Sequence, residues 1–175
     1  LPAGHALDGA GARRVWSLPA PAPPNDDDAA LAAVADAVET SVRGVEPEGL
    51  AVAFSGGVDS AVVAAGVPKA PLYVAGFEGC HDVAAAREAA AAMDRDLRVV
   101  ELTHDDLRER LPELAAATGR ANPMDLAIAL PLFLVGERAT ADGVDRLVLG
   151  QGADELFGGY ATFAKAPDDP RVAAD

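Results

Sequence analysis

A chain of 175 residues, half of them hydrophobic, is long enough for one domain with a real core. Its formal net charge is −14 at pH 7, which argues against nonspecific nucleic-acid binding through basic patches. No apolar run reaches the ~20 residues a membrane-spanning helix needs, and the opening Leu1-Pro2-Ala3-Gly4-His5 lacks the basic-then-apolar pattern of a signal peptide.

Residues 1–18 alternate turn residues with short extended stretches, and Arg14-Val15-Trp16-Ser17-Leu18 predicts an edge strand. The following Pro19-Ala20-Pro21-Ala22-Pro23-Pro24-Asn25 predicts a stiff extended linker. A boundary is expected there, with residues 26–175 forming one domain. Asp26-Asp27-Asp28 offers N-cap and first-turn carboxylates for a helix to about Val42, with Leu31, Val34, Val38 and Val42 on one face.

From Gly49 the pattern alternates strand and helix. Residues 50–54 predict a buried strand, 55–59 a loop, and 60–66 a helix. Strands are predicted over 71–77, 97–102 and 145–149. Helices are predicted over 82–93, over 105–118 with a break near Pro112, and over 125–140, the last apolar and buried. This order predicts an α/β fold with a parallel sheet covered by helices on both faces. Ligands in such sheets sit beyond the strand C-termini. Phe54, Phe77 and Leu149 each end a strand before a glycine-containing loop, so all three loops are expected to meet at one site.

Only two lysines occur, Lys69 and Lys165, and the acid excess is spread along the chain. Such a surface suits solubility at high salt. It also means that a phosphate ligand must find its positive partners in backbone amides, a helix N-terminus or a bound metal. Cys80 is the single cysteine, which fits a reducing cytoplasm, and it reads as a small half-buried residue. His5, His81 and His104 share no metal-ligand spacing, and His104 reads as a residue near a helix start. Arg87 reads as a helix-face ion-pair partner and Lys165 equally as a solvated side chain or a substrate contact.

The chemistry concentrates in Phe54-Ser55-Gly56-Gly57-Val58-Asp59-Ser60. Two glycines after a buried strand permit positive φ and close ligand approach. Successive amides and a helix N-terminus make an anion nest, to which Ser55 and Ser60 add hydroxyls. No lysine of a Walker A loop stands here, and the Gly-x-Gly-x-x-Gly spacing of a Rossmann turn is missing. Asp59 beside phosphate makes sense with Mg²⁺ between them. A bland turn with an aspartate cap is the competing reading. A second loop, Gly150-Gln151-Gly152-Ala153-Asp154-Glu155, also follows an apolar strand; it reads either as a glycine-rich turn with a carboxylate cap or as a loop facing the first, with Asp154 as a further metal ligand.

Ser-Gly-Gly-Val-Asp-Ser resembles the pyrophosphate loop of the N-type ATP pyrophosphatases. Asp154-Glu155-Leu156-Phe157-Gly158-Gly159-Tyr160 resembles the second signature of the glutamine-dependent asparagine synthetases. Gly76-Phe77-Glu78-Gly79-Cys80-His81-Asp82, Ala85-Ala86-Arg87, Leu130-Pro131-Leu132-Phe133 and Phe163-Ala164-Lys165-Ala166-Pro167 are similar to segments of the same family. The resemblance implies a PP-loop (adenine nucleotide alpha hydrolase-like) architecture. It also implies AMP-forming, ATP-dependent amide synthesis, in which a side-chain carboxylate, classically of aspartate, is adenylated and then attacked by ammonia or glutamine-derived nitrogen.

By the same resemblance, Ser55, Gly56, Gly57, Val58, Asp59 and Ser60 grip phosphates, and Asp59 and Asp154 hold Mg²⁺. Backbone at Ala53, Ala75, Gly150 and Gly152 contacts ATP. Residues 1–25 look like a linker leading out of a glutaminase-like domain, and a catalytic lysine is expected beyond Asp175. The family usually carries Glu between the two glycines of the second loop, where this chain has Gln151. Gln can orient a group but cannot act as a general base. The alternatives are another adenylating ligase, β-lactam synthetase-like, or a nucleotide-binding paralogue without catalysis.

Overall fold

The computed structural model describes residues 1–17 and 26–159. The proline-rich linker, Lys165 and the segment from Tyr160 onward lie outside the described residues. Two compact units divide between Val38 and Glu39.

In the first unit, β1 (His5–Asp8) and β2 (Gly11–Arg14) form an antiparallel hairpin with His5 opposite Arg14 and Asp8 opposite Gly11. The Asp8 carboxylate accepts the Ala10 amide at 2.9 Å, closing the turn. The edge strand expected over 14–18 is therefore displaced: pairing stops at Arg14, and the Val15 and Trp16 amides both turn to the Gly4 carbonyl. Helix α1 (Asp27–Arg43) begins where the acidic run predicts, with Asp26 Oδ1 accepting the Ala29 amide at 2.7 Å. Its expected apolar face is covered only in part. Leu31 and Val34 are exposed, whereas Val42, in the second unit, packs on that unit's core.

The second unit is built on four parallel strands in the order β5-β4-β3-β6. They are β3 (Leu50–Ala53), β4 (Leu72–Phe77), β5 (Leu97–Leu102) and β6 (Arg146–Val148). Alternation along the strands divides the core in two. Leu50, Val52, Phe54, Leu72 and Val74 face α2 (Val58–Gly66) and α3 (His81–Ala92), meeting Ala64, Val83, Ala86 and Ala90. Ala51, Tyr73 and Ala75 face α4 (His104–Thr118) and α5 (Pro123–Ala141), meeting Leu114, Leu130, Leu134 and Val135. Helices thus cover both faces, as the unbroken apolar strands require.

Helix α4 runs through Pro112 without the expected break. The carbonyl that loses its partner belongs to exposed Arg108, where water can serve it. A capping box of Thr103 and Asp106 fixes the start, and Leu114 is buried beyond the proline. Helix α5 likewise continues through Pro131 and starts at Pro123, two residues before the expected position. Asn122 caps it by accepting the Asp125 amide at 2.9 Å, with proline at the first turn.

A polar clamp ties β4, β5 and the end of α5. The buried Tyr73 O–H donates to Asp142 Oδ2 at 2.8 Å, Arg98 donates to the same oxygen at 2.8 Å, and Arg138 donates at 3.2 Å. The Tyr73 hydrogen bond, then those from Arg138 and Arg98, hold the Asp142 carboxyl below its usual range against the effect of burial. Burial, then the Asp142 contact, pushes the Tyr73 phenol up.

The order β5-β4-β3-β6 reverses direction between β3 and β6. A crevice forms outside the carboxyl ends of parallel strands at such a point. The loops leaving β3 and β6 are the two glycine loops singled out in the sequence.

Candidate functional site

The first loop leaves β3 at Phe54 and enters α2 with Gly57 as the N-cap residue. No side chain caps this helix start, so the amides of its first turn have no side-chain partner. Helix α2 begins at Val58, two residues before the expected start, which places Asp59 in its first turn. Gly56 has φ +82, and a Cβ there would fall 2.7 Å from the Ala85 carbonyl oxygen of α3. Only glycine allows both the conformation and this approach.

The two serines brace the loop from within. Ser60 is buried and donates to the Gly57 carbonyl at 2.9 Å. Its proton is thereby committed, so across the 3.2 Å contact between the hydroxyls Ser55 donates to Ser60. Ser55 Oγ also accepts the Gly57 amide at 3.3 Å. Ser55 is exposed and remains accessible to a ligand.

The second loop turns through Gly152, φ +97, into α6 (Ala153–Phe157). It lies directly against the first: a Cβ on Gly150 would sit 2.8 Å from the Asp59 carbonyl carbon and 2.8 Å from the Ser60 amide nitrogen. The loops enclose a cleft of about 290 Å³. Ala53, Ser55, Asp59, Ser60, Ala75, Gly150, Gln151, Gly152 and Asp154 line it, together with residues from α5. Gly56, Gly57 and Val58 do not form its wall. Gly56 backs onto α3, and the Val58 side chain points to solvent, 74% exposed.

The third loop does not join the other two. Residues 76–80 line a separate hollow of about 300 Å³ with Arg87, Val99 and Glu101. The cause is a close packing at Gly76, where a Cβ would meet Cys80 Sγ and Val83 Cγ2, each at 2.7 Å. The loop folds back over the end of β4 and sends only Asp82, in the first turn of α3, into the cleft. Asp82, Pro131, Leu132 and Val135 were not singled out as site residues from the sequence. An aspartate opening the helix after a strand was the available signal for the first. Pro131 and Leu132 fall in the segment Leu130-Pro131-Leu132-Phe133 that resembles the family, whereas Val135 gave no signal, because that helix is apolar around much of its circumference.

The charged lining among the described residues is Asp59, Asp82 and Asp154, with no Lys, Arg or His. Among the described residues no three His, Cys, Asp or Glu side chains group as a self-sufficient metal site. This donor set fits Mg²⁺, which commonly takes one or two carboxylates and completes its shell with phosphate oxygens and water. His104 stands at the first position of α4 with its ring 5.4 Å from Phe77, and Cys80 is a half-buried free thiol. Among the described residues no helix is long and apolar enough to cross a membrane.

Comparison with known proteins places these loops in a family. The asparagine synthase family profile matches residues 29–173. A Methanocaldococcus jannaschii protein provisionally named as a glutamine-hydrolysing asparagine synthetase is 33% identical over 132 residues, covering 74% of this chain and 24% of that protein. The nodule asparagine synthetase of Pisum sativum is 30% identical over 131 residues, covering 67% and 22%. The chain thus spans about a quarter of the length of these relatives. The solved NH3-dependent NAD synthetase of Campylobacter jejuni superposes with a TM-score of 0.45 at 18% identity, covering 74% of this chain and 58% of that one. The chain belongs to the asparagine synthase family.

Proposed function

We propose that the intact protein is an AMP-forming amide ligase, and that the described residues carry its ATP-binding half. The observation that carries this reading is the seating of Gly150 against Asp59 and Ser60, which gives two anion-accepting loops one shared cleft. The uncapped amides at the start of α2 would receive the triphosphate, and the exposed Ser55 hydroxyl could turn its proton from Ser60 to a phosphate oxygen. Asp59 and Asp154 stand on opposite loops and line the same cleft, where they would hold Mg²⁺. The ion, when bound, neutralises charge on the departing pyrophosphate. The packing of Gly150 on Asp59 and Ser60, with the Ser60 bond to the Gly57 carbonyl, holds the two loops together, so that donors on them would need little reorganisation. Backbone at Ala53, Ala75 and Gly150 holds the adenosine.

Aspartate is the proposed acyl substrate and ammonia, free or from glutamine, the nitrogen donor; both rest on the family relationship. Gln151 lines the cleft and has no proton to give or take at ordinary pH. It favours a second reading, in which the protein adenylates a different carboxylate or binds nucleotide without ligation.

The test is AMP and pyrophosphate formation by the intact protein with ATP, Mg²⁺ and ammonia, with and without aspartate. Aspartate-dependent AMP supports the first reading. Nucleotide binding without AMP formation from aspartate supports the second. Release of ADP and phosphate contradicts both.

A further inference from the structure

Asp82 has no part in the assignments above, yet its position is tightly determined. The Gly76 contact packs the first turn of α3 flush against the end of β4. The Gly56 contact packs the next turn, at Ala85 and Ala86, against the first loop, with would-be Cβ distances of 2.7 Å and 2.8 Å. Asp82 stands between Cys80 and Val83, the two residues packed on Gly76, and lines the same cleft as Ser55 and Asp59. Its side chain is 85% exposed, and its ion-pair partner is the exposed His81 at 3.8 Å.

The start of α3 also lacks a side-chain cap. An uncapped N-terminus of a helix this long favours a bare anion. Asp82, in its first turn, opposes that attraction.

We propose that Asp82 is the selectivity residue of this cleft, discriminating the magnesium complex of a nucleoside triphosphate from the metal-free anion by charge and without ligating the metal. The proposal rests on the nucleotide reading given above. Free ATP carries roughly twice the charge of its magnesium complex, and Coulomb repulsion scales with ligand charge. A carboxylate beside the phosphates therefore penalises the free anion more. In a water-accessible cleft, removing one such charge is expected to shift the ratio of the two affinities by about 3- to 10-fold.

The experiment is calorimetric titration of the intact protein with ATP in excess chelator and with ATP in saturating Mg²⁺, for wild type, Asp82→Asn and Asp82→Glu. The proposal predicts that Asp82→Asn strengthens binding of metal-free ATP about 3- to 10-fold more than binding of the complex. It predicts wild-type selectivity in Asp82→Glu, which keeps the charge and shows that the fold tolerates substitution. A tenfold loss of MgATP affinity in Asp82→Asn would make the residue a metal ligand and overturn the proposal, as would unchanged affinity for both forms. A wild-type protein that binds neither form marks failure of the nucleotide reading itself, and the selectivity proposal falls with it.

Discussion

Gly150 lies back to back with Asp59: a Cβ at Gly150 would fall 2.8 Å from the Asp59 carbonyl carbon and 2.9 Å from Asp59 Cβ. Its φ is outside the left-handed region, so the requirement for glycine is one of space alone. Gly150→Ala is expected to cost about 1–3 kcal/mol of stability by overpacking against backbone that cannot step aside. It should also separate the loops and weaken MgATP binding at least about tenfold, since the site depends on their mutual placement. Urea unfolding and calorimetry measure the two effects; a stable variant with wild-type affinity would show that the contact does not set the site.

Ser60 holds the first loop from the inside, donating to the Gly57 carbonyl and receiving the Ser55 hydroxyl. Ser60→Ala removes both hydroxyl contacts from a buried side chain, at a cost of about 0.5–1.5 kcal/mol, while the Gly57 carbonyl keeps the Ala61 amide at 3.0 Å. Ser55→Ala, at an exposed position, should cost less stability. Urea unfolding of the two variants compares them, and a larger stability loss in Ser55→Ala would reverse the roles assigned here.

The Asp142 clamp makes stability depend on acid pH. The folded-state carboxyl titrates below its unfolded value, chiefly because of the Tyr73 O–H bond. Its contribution is therefore complete above the unfolded carboxyl range and is lost as pH falls through the depressed folded value. Asp106, held down by the Thr103 hydroxyl and then by the Thr103 amide, acts in the same direction. Asp142→Asn should lower the midpoint of thermal unfolding at neutral pH, and the gap from wild type should narrow as pH falls below about 4. A gap of constant size down to strong acid would remove Asp142 titration from the account.

Gln151 offers a test of the chemical step. Gln151→Glu should change the ammonia-dependent rate and its pH profile more than the affinity for ATP, because it adds a titratable group to a wall of the cleft. Steady-state kinetics of the intact protein over pH separates the two. A change confined to ATP affinity would make the position a nucleotide contact.

The strand–helix order, the two-faced sheet and the two glycine loops were legible because each is written locally. Leu50 to Phe54 is an unbroken apolar run, and Gly56 and Gly57 follow it directly. The register of the hairpin was not legible, because Asp8 closes a turn that Arg14 to Leu18, more strand-like in composition, does not announce. Continuity through Pro112 was hidden for a similar reason: burial of Leu114 and the Thr103 cap act at a distance from the proline. Diversion of the third loop away from the cleft depends on Gly76 meeting Val83 and Cys80, a tertiary contact with no counterpart in spacing. Pro131, Leu132 and Val135 enter the cleft through the packing of α5 on β4; the family-like Leu130-Pro131-Leu132-Phe133 marked the segment, but local pattern did not show that it faces the cleft.

The central claim is that the two loops form one magnesium-dependent nucleotide site, with Asp59 and Asp154 bridging to it from opposite sides. Its most direct test is calorimetric titration of ATP into the intact protein with and without Mg²⁺, for wild type, Asp59→Ala and Asp154→Ala, with unfolding curves confirming that each variant is folded. The account predicts wild-type binding at least about tenfold tighter with Mg²⁺ than without it, and MgATP affinity that falls at least about tenfold in either variant, the loss expected when a charged ligand of the ion is removed. Wild-type MgATP affinity in both folded variants would contradict it.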